Sequence, residues 1–231
     1  MKSKQYWVEQ LGERWTTELK DLLKSPYMDK LENFLAVEYA MNTVYPAKKD
    51  IFHYFRLCPF EKLRMVVMFK EHGVDISTFP IPYHDNYIDS IHNVGTSKIA
   101  DCIHREYYSE SDELMFNFDH SFEYWASQGV LILPTALTVR KEHSGSHIRP
   151  WKQFVEGVLK HIKINCPGTV FLLWGEEAQA YAEKLSNNQH VFSWESPITA
   201  FKENRDWKCP SFKQVDVLLT YLNDETHKIK W

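Results

Sequence analysis

The chain has no basic excess, no long apolar run and no paired cysteines, and each absence removes a class of function. Lys and Arg number 27 against 31 Asp and Glu, a net charge of −4. No global charge therefore marks a nucleic-acid binder, and any DNA contact must come from a local basic patch. No apolar run approaches the roughly 18 residues of a membrane span. The first residues, M-K-S-K-Q-Y-W-V-E-Q, carry no apolar signal run. Neither membrane insertion nor secretion is expected, and the cytoplasm is the expected location. Cys58, Cys102, Cys166 and Cys209 are widely spaced, with no C-x-x-C pair. That excludes the usual zinc and redox spacings and suits a reducing compartment. No metal and no cofactor are expected. Repeats, low-complexity tracts and linkers are absent too, so 231 residues read as one domain, 1–231, able to bury a sizeable core.

What is present is an ordinary globular composition, 44% hydrophobic and 25% charged, with many aromatics: 8 Trp, 12 Tyr and 14 Phe. Most of these must serve the core, although aromatics also stack on bases. Trp7, Val8, Leu11, Trp15, Leu19, Leu22 and Leu23 recur at helical intervals and predict a helix over 6–23. A second runs from Met28 to about Asn42, ended by Tyr45-Pro46. Asp50 is placed to cap a short helix, Ile51 to Leu57. Leu63–Phe69, Gly129–Leu133, Thr169–Leu173 and His190–Phe192 read as short strands; 97–108, 151–164, 176–186 and 210–223 read as helices. Residues 71–95 read as a long loop, a length that is often functional. Strands alternating with helices imply an α/β fold, a three-layer αβα sandwich around a short central parallel sheet.

Two stretches carry a more specific signal. One is F-E-Y-W-A-S-Q-G-V-L-I-L-P-T-A-L-T-V-R with S-H-I-R-P-W-K-Q-F after it; the other is T-V-F-L-L-W-G. With Y-P-A-K-K-D-I-F-H-Y-F-R-L-C-P-F-E-K-L-R-M-V-V-M upstream, their order resembles the uracil-DNA glycosylase superfamily, closest to its uracil-specific branch. The likeness runs over 45–217; the helical part, 1–44, matches loosely.

The resemblance also shows what differs. Where the family has its water-activating loop G-Q-D-P-Y-H, this chain has F-K-E-H-G-V, which puts Glu71 at the catalytic aspartate, Gly73 at the tyrosine and Val74 at the histidine. The base-reading asparagine of L-L-N-T becomes Pro134. The late motif H-P-S-P-L-S resembles W-E-S-P-I-T, which sets Trp194 at the catalytic histidine and Ile198 at the wedging leucine.

Breaking a base from deoxyribose builds positive charge on the sugar and negative charge on the base, so a carboxylate at Glu71 suits the chemistry. A solvated Glu is the alternative. Trp194 offers an indole donor or a stacking face, or is simply core. Pro134 has no side-chain amide, which argues against uracil. Gly73 removes the wall that excludes 5-substituents, unless it only makes a turn. Tyr83 and Tyr87, with Phe79 third, are candidates to stack on the base; His72 and His84 are possible proton handlers. For DNA, Ser97, Gly175 and Ser196 match phosphate-gripping positions. Arg140, Lys141, His143, His147 and Arg149 form a local basic segment.

The resemblance implies a DNA glycosylase, expected to be a monomer, and the replaced residues point to a bulky 5-modified pyrimidine, such as glucosylated hydroxymethylcytosine, flipped out of double-stranded DNA and excised. Such bases occur mainly in phage DNA, so this chemistry suits a bacterial or phage-encoded cytoplasmic protein that defends a bacterium against phage. The alternative is an inactive DNA-binding scaffold or replication accessory of the same fold.

Overall fold

The computed structural model describes residues 4–73, 94–108, 118–185, 190–223 and 228–231. Its N-terminal layer departs from the single helix expected over 6–23. The chain makes α1 (Lys4–Leu11), α2 (Glu13–Glu18) and α3 (Lys20–Leu23) instead. Gly12 breaks the first helix at φ 85°, ψ 161°, a backbone region that essentially only glycine enters. The apolar positions still reach the core: Trp7, Leu11, Trp15, Leu19 and Leu23 are buried. Trp15 donates its indole N–H to the Cys58 carbonyl at 2.7 Å, which ties this layer to the rest.

Helix α4 (Pro26–Met41) follows, with proline in its first turn, where no helical N–H is lost. Strand β1 (Val44–Tyr45) pairs antiparallel with β4 (Val139–Arg140), a ladder too short for any sequence period to reveal. Asp50 does not cap α5 (His53–Leu57). It is buried in a 3-10 turn, Lys48–Asp50, and the helix starts from Phe52 with no side-chain cap.

The central sheet is made of β2 (Met65–Met68), β3 (Val130–Ile132), β5 (Val170–Trp174) and β6 (His190–Trp194). Its order is β3-β2-β5-β6 and every pair is parallel, as the alternating pattern implied. All residues of β2, β3 and β5 are buried, because a parallel strand covered on both faces needs a continuous apolar run. Val66, Leu131 and Leu172 are fully buried.

The covering helices are α6 (Val94–Tyr107), α7 (Glu123–Ser127), α8 (Ile148–Asn165), α9 (Glu176–Gln179), α10 (Ala182–Leu185), α11 (Pro197–Lys202) and α12 (Ser211–Asn223). On α8, Trp151, Phe154, Val155, Val158, Leu159 and Ile162 form one buried stripe. Trp174 packs edge-on against Trp207 and Phe212, joining β5 to α12. Among the described residues no helix is long and apolar enough to cross a membrane.

Candidate active site

Past its last residue, β2 keeps pairing with the chain that leaves β3. Thr135 N–H donates to the Phe69 carbonyl at 2.8 Å and Ala136 N–H to the Lys70 carbonyl at 3.1 Å. A parallel bridge then joins Glu71 to Ala136. These bonds carry Glu71 to the C-terminal edge of the sheet, where ligands bind in open α/β folds.

The carboxylate of Glu71 is enclosed there, with the residue only 6% exposed. Ser144 donates its hydroxyl to Oε1 at 2.6 Å, and the Gly145 N–H lies 2.8 Å from Oε1 and 2.9 Å from Oε2. Burial pushes the Glu71 carboxyl above its ordinary value. The Ser144 hydroxyl, the Gly145 amide and Lys70 pull the other way, and Glu177 adds to the rise. Lys70 is itself paired with Glu177 at 2.8 Å. A cavity of about 410 Å³ opens beside these groups. Phe69–Gly73 and Ser144 form one part of its wall, and Trp174, Gly175, Glu177, Ser196, Ile198, Thr199 and Lys202 the rest.

Six residues singled out in the sequence meet on this wall: Glu71, His72, Gly73, Gly175, Ser196 and Ile198. Gly175 and Ser196 touch: a Cβ on Gly175 would lie 3.2 Å from the Ser196 Cβ. Ser196 caps α11 by accepting the Ile198 N–H. Ile198 is half-buried and packs partly on the core. Gly73 is buried. His72 is 2% exposed and lies against Tyr54 and Phe69, in the position of a packed residue. Pro134 is buried at the end of β3, one residue before the Thr135–Phe69 bond. Trp194 sits opposite Trp174 in the sheet register and borders an adjoining cleft across Gly175 and Ser196, off the wall that holds Glu71. Its carbonyl accepts from Gly175 N–H and Gln179 Nε2. Ser97 is half-buried in the first part of α6. Val74, Phe79, Tyr83, His84 and Tyr87 lie outside the described residues.

The basic segment divides between the fold and the surface. Arg140 and His147 are turned inward to Glu38, a buried carboxylate on α4. Arg140 clasps both its oxygens, Nη2 at 2.7 and 2.9 Å and Nε at 3.1 Å from them. His147 is 1% exposed, with Nε2 at 3.2 Å from Glu38 and Nδ1 at 2.8 Å from the Thr138 hydroxyl. A buried carboxylate must be neutralised, and the guanidinium fork matches it; His147 is thereby enclosed, while the Arg140 side chain stays 36% exposed. The Arg140 hydrogen bonds hold Glu38 below the ordinary carboxylate value, and burial lowers His147. Lys141, His143 and Arg149 stay exposed, Lys141 beside Glu142 at 3.8 Å.

Sequence reasoning missed Ser144, Lys70, Glu177, Thr199 and Lys202 as site residues. Ser144 is 73 positions from Glu71, so no local pattern joins them. Among the described residues no group of three or more His, Cys, Asp or Glu is placed to hold a metal ion.

No family model matches the chain. The uracil-DNA glycosylase of Chlamydia felis is 30% identical to it, aligned over 97% of this chain and 96% of that protein. The chain belongs to the uracil-DNA glycosylase family. The Chlamydia abortus member is 29% identical over 94% of this chain and 93% of its own. Among solved structures, mimivirus uracil-DNA glycosylase superposes with a TM-score of 0.71 at 14% identity, over 94% of this chain and 86% of that one. The enzyme of Nitratifractor salsuginis does so at 0.55 and 17%, over 83% and 86%. At such identities these two superpositions speak for the family's α/β fold.

Proposed function

We propose that the chain is a DNA glycosylase that takes a flipped-out base into the cavity beside Glu71, and that this base is a pyrimidine with a bulky 5-substituent, such as glucosylated hydroxymethylcytosine, rather than uracil. The observation that carries the reading is the Glu71 carboxylate, buried and held on the cavity wall at the end of β2. A carboxylate fixed there stabilises the positive charge that grows on the sugar as the base departs, and orients a water for attack. Of its four or so acceptor positions, two on Oε1 and one on Oε2 are occupied, which leaves Oε2 for that work. Pro134 contributes no amide to read uracil, and Gly73 contributes no side chain against carbon 5. Ile198, on the cavity rim at the start of α11, is the wedge that holds the duplex open while the nucleotide is out. Exposed Lys141, with Ser97, Gly175 and Ser196, serves the DNA backbone. Such bases mark phage DNA, so the activity suits defence of a bacterial cytoplasm by a monomeric enzyme.

One observation favours a second reading, a DNA-binding protein without catalysis: Glu71 already satisfies Ser144 and Gly145, as a purely structural carboxylate would. The test is base release from duplexes carrying uracil, hydroxymethylcytosine or glucosylated hydroxymethylcytosine, read as alkali-labile sites. Wild type should release the glucosylated base, Glu71→Gln should not, and Gly73→Tyr should block the largest base most. Binding of all three duplexes with no release of any base would establish the second reading.

A further inference from the structure

The turn at Ser144 and Gly145 belongs to the segment that follows β4, yet its polar groups close on a carboxylate delivered by β2. Ser144 is exposed, so its hydroxyl gives up water to donate to Oε1 at 2.6 Å. The Gly145 amide spans both oxygens. Oε1 thus accepts twice and Oε2 once, and the asymmetry selects the oxygen that remains for a ligand. The other groups at this carboxylate are Lys70 at the end of β2, Glu177 on α9, His72 on the same turn and Lys202 on α11. Lys70 is committed to Glu177 at 2.8 Å, so the pair brings little net charge to the site. Among the described residues, Ser144 is the side chain that hydrogen-bonds the anionic form of Glu71.

We propose that Ser144 is a positioning residue that, with the Gly145 amide, holds Glu71 as an anion with Oε2 free for the reacting sugar or water. The inference rests on the glycosylase reading for its use, but its physical content is independent of that reading. A hydroxyl that donates to a carboxylate favours the charged form and opposes the effect of burial. Without it, burial alone acts and Glu71 takes up a proton more readily. Because Ser144 is exposed, neither Ala nor Thr there disturbs packing.

The experiment compares the full chain with Ser144→Ala and Ser144→Thr. Glu71 is titrated by NMR in protein labelled at the glutamate carboxyl carbons, its signal assigned by loss in Glu71→Gln. Base release from the glucosylated duplex is followed against pH under single-turnover conditions, with thermal melting as a folding control. In Ser144→Ala the Glu71 titration and the acidic limb of the rate profile should both move to higher pH. On that limb release should fall about ten- to a hundredfold, the range for losing one hydrogen bond to a charged group. Ser144→Thr should restore titration and rate. A Glu71 titration in folded Ser144→Ala that matches wild type would overturn the proposal. Should wild type release no base from any duplex, the glycosylase reading falls by itself, and the titration alone upholds or overturns the grip of Ser144 on Glu71.

Discussion

Replacing Gly175 with alanine probes the junction on which the cavity depends, and Gly12 supplies its own control. Gly175 ends β5 and starts α9 at φ 91°, ψ 163°; Gly12 starts α2 at φ 85°, ψ 161°. Both lie in the region where a side chain costs about 1–3 kcal/mol in backbone strain. They differ in space. A Cβ on Gly12 meets nothing within 4 Å, whereas one on Gly175 meets the Ser196 Cβ at 3.2 Å. Ordinary carbon contacts lie at about 3.5–4.0 Å, so Ser196 must retreat. It is held by its cap on α11, and Gly175 is held by its own bond to the Trp194 carbonyl. Overfilling of this kind costs about 1–3 kcal/mol. Gly12→Ala should therefore lose the strain alone, and Gly175→Ala about 1–3 kcal/mol more. Urea unfolding of wild type and both variants measures the difference, and the shared strain cancels in it. Gly175→Ala should also weaken binding to duplex DNA, while Gly12→Ala leaves it intact. Equal unfolding midpoints and slopes for the two variants would refute the tight Gly175–Ser196 contact.

Other outcomes follow from the buried charges and the rim. Burial raises the Glu71 pKa, so its contribution to stability is complete below the unfolded value and is lost as pH rises through the folded one. Glu71→Gln should accordingly gain stability relative to wild type as pH rises above the unfolded carboxylate value of about 4, and melting curves that show it losing ground would reverse the sign of that burial. His147 is lowered from 6.5, so its contribution is present above that value and lost as pH falls through the folded one. Melting temperature should drop on acidification below about pH 6.5, and His147→Gln should flatten that slope; an unchanged slope would mean that another group carries it. Ile198→Ala should slow base release from duplex more than from single strands, since only a duplex needs a wedge. Equal losses on both would assign Ile198 to folding.

The strands were legible because their burial is local in sequence. A parallel strand covered on both faces is written as an unbroken apolar run, and the runs within 63–69, 129–133 and 169–173 sit in the sheet within a residue or two of where they were read. The stripe of α8 is legible for the same reason, through helical period. The order of motifs brought Glu71, Gly73, Gly175, Ser196 and Ile198 to attention before any geometry was known, and the fold gathers them on one cavity.

The direction of the polar side chains was not legible. Periodicity ran straight through Gly12, because the apolar spacing is helical on both sides of a break that only its φ reveals. The basic run after L-T-V-R shows charge but not aim. Arg140 and His147 turn inward because Glu38 is buried, and Glu38 lies 102 and 109 residues away from them. Glu71 is likewise claimed by a serine 73 residues on. Sequence alone determined which segments are apolar enough to be strands and helices, since that depends on neighbours a few positions apart. Only the closed tertiary structure decided which carboxylates lose water and which distant donors must then replace it.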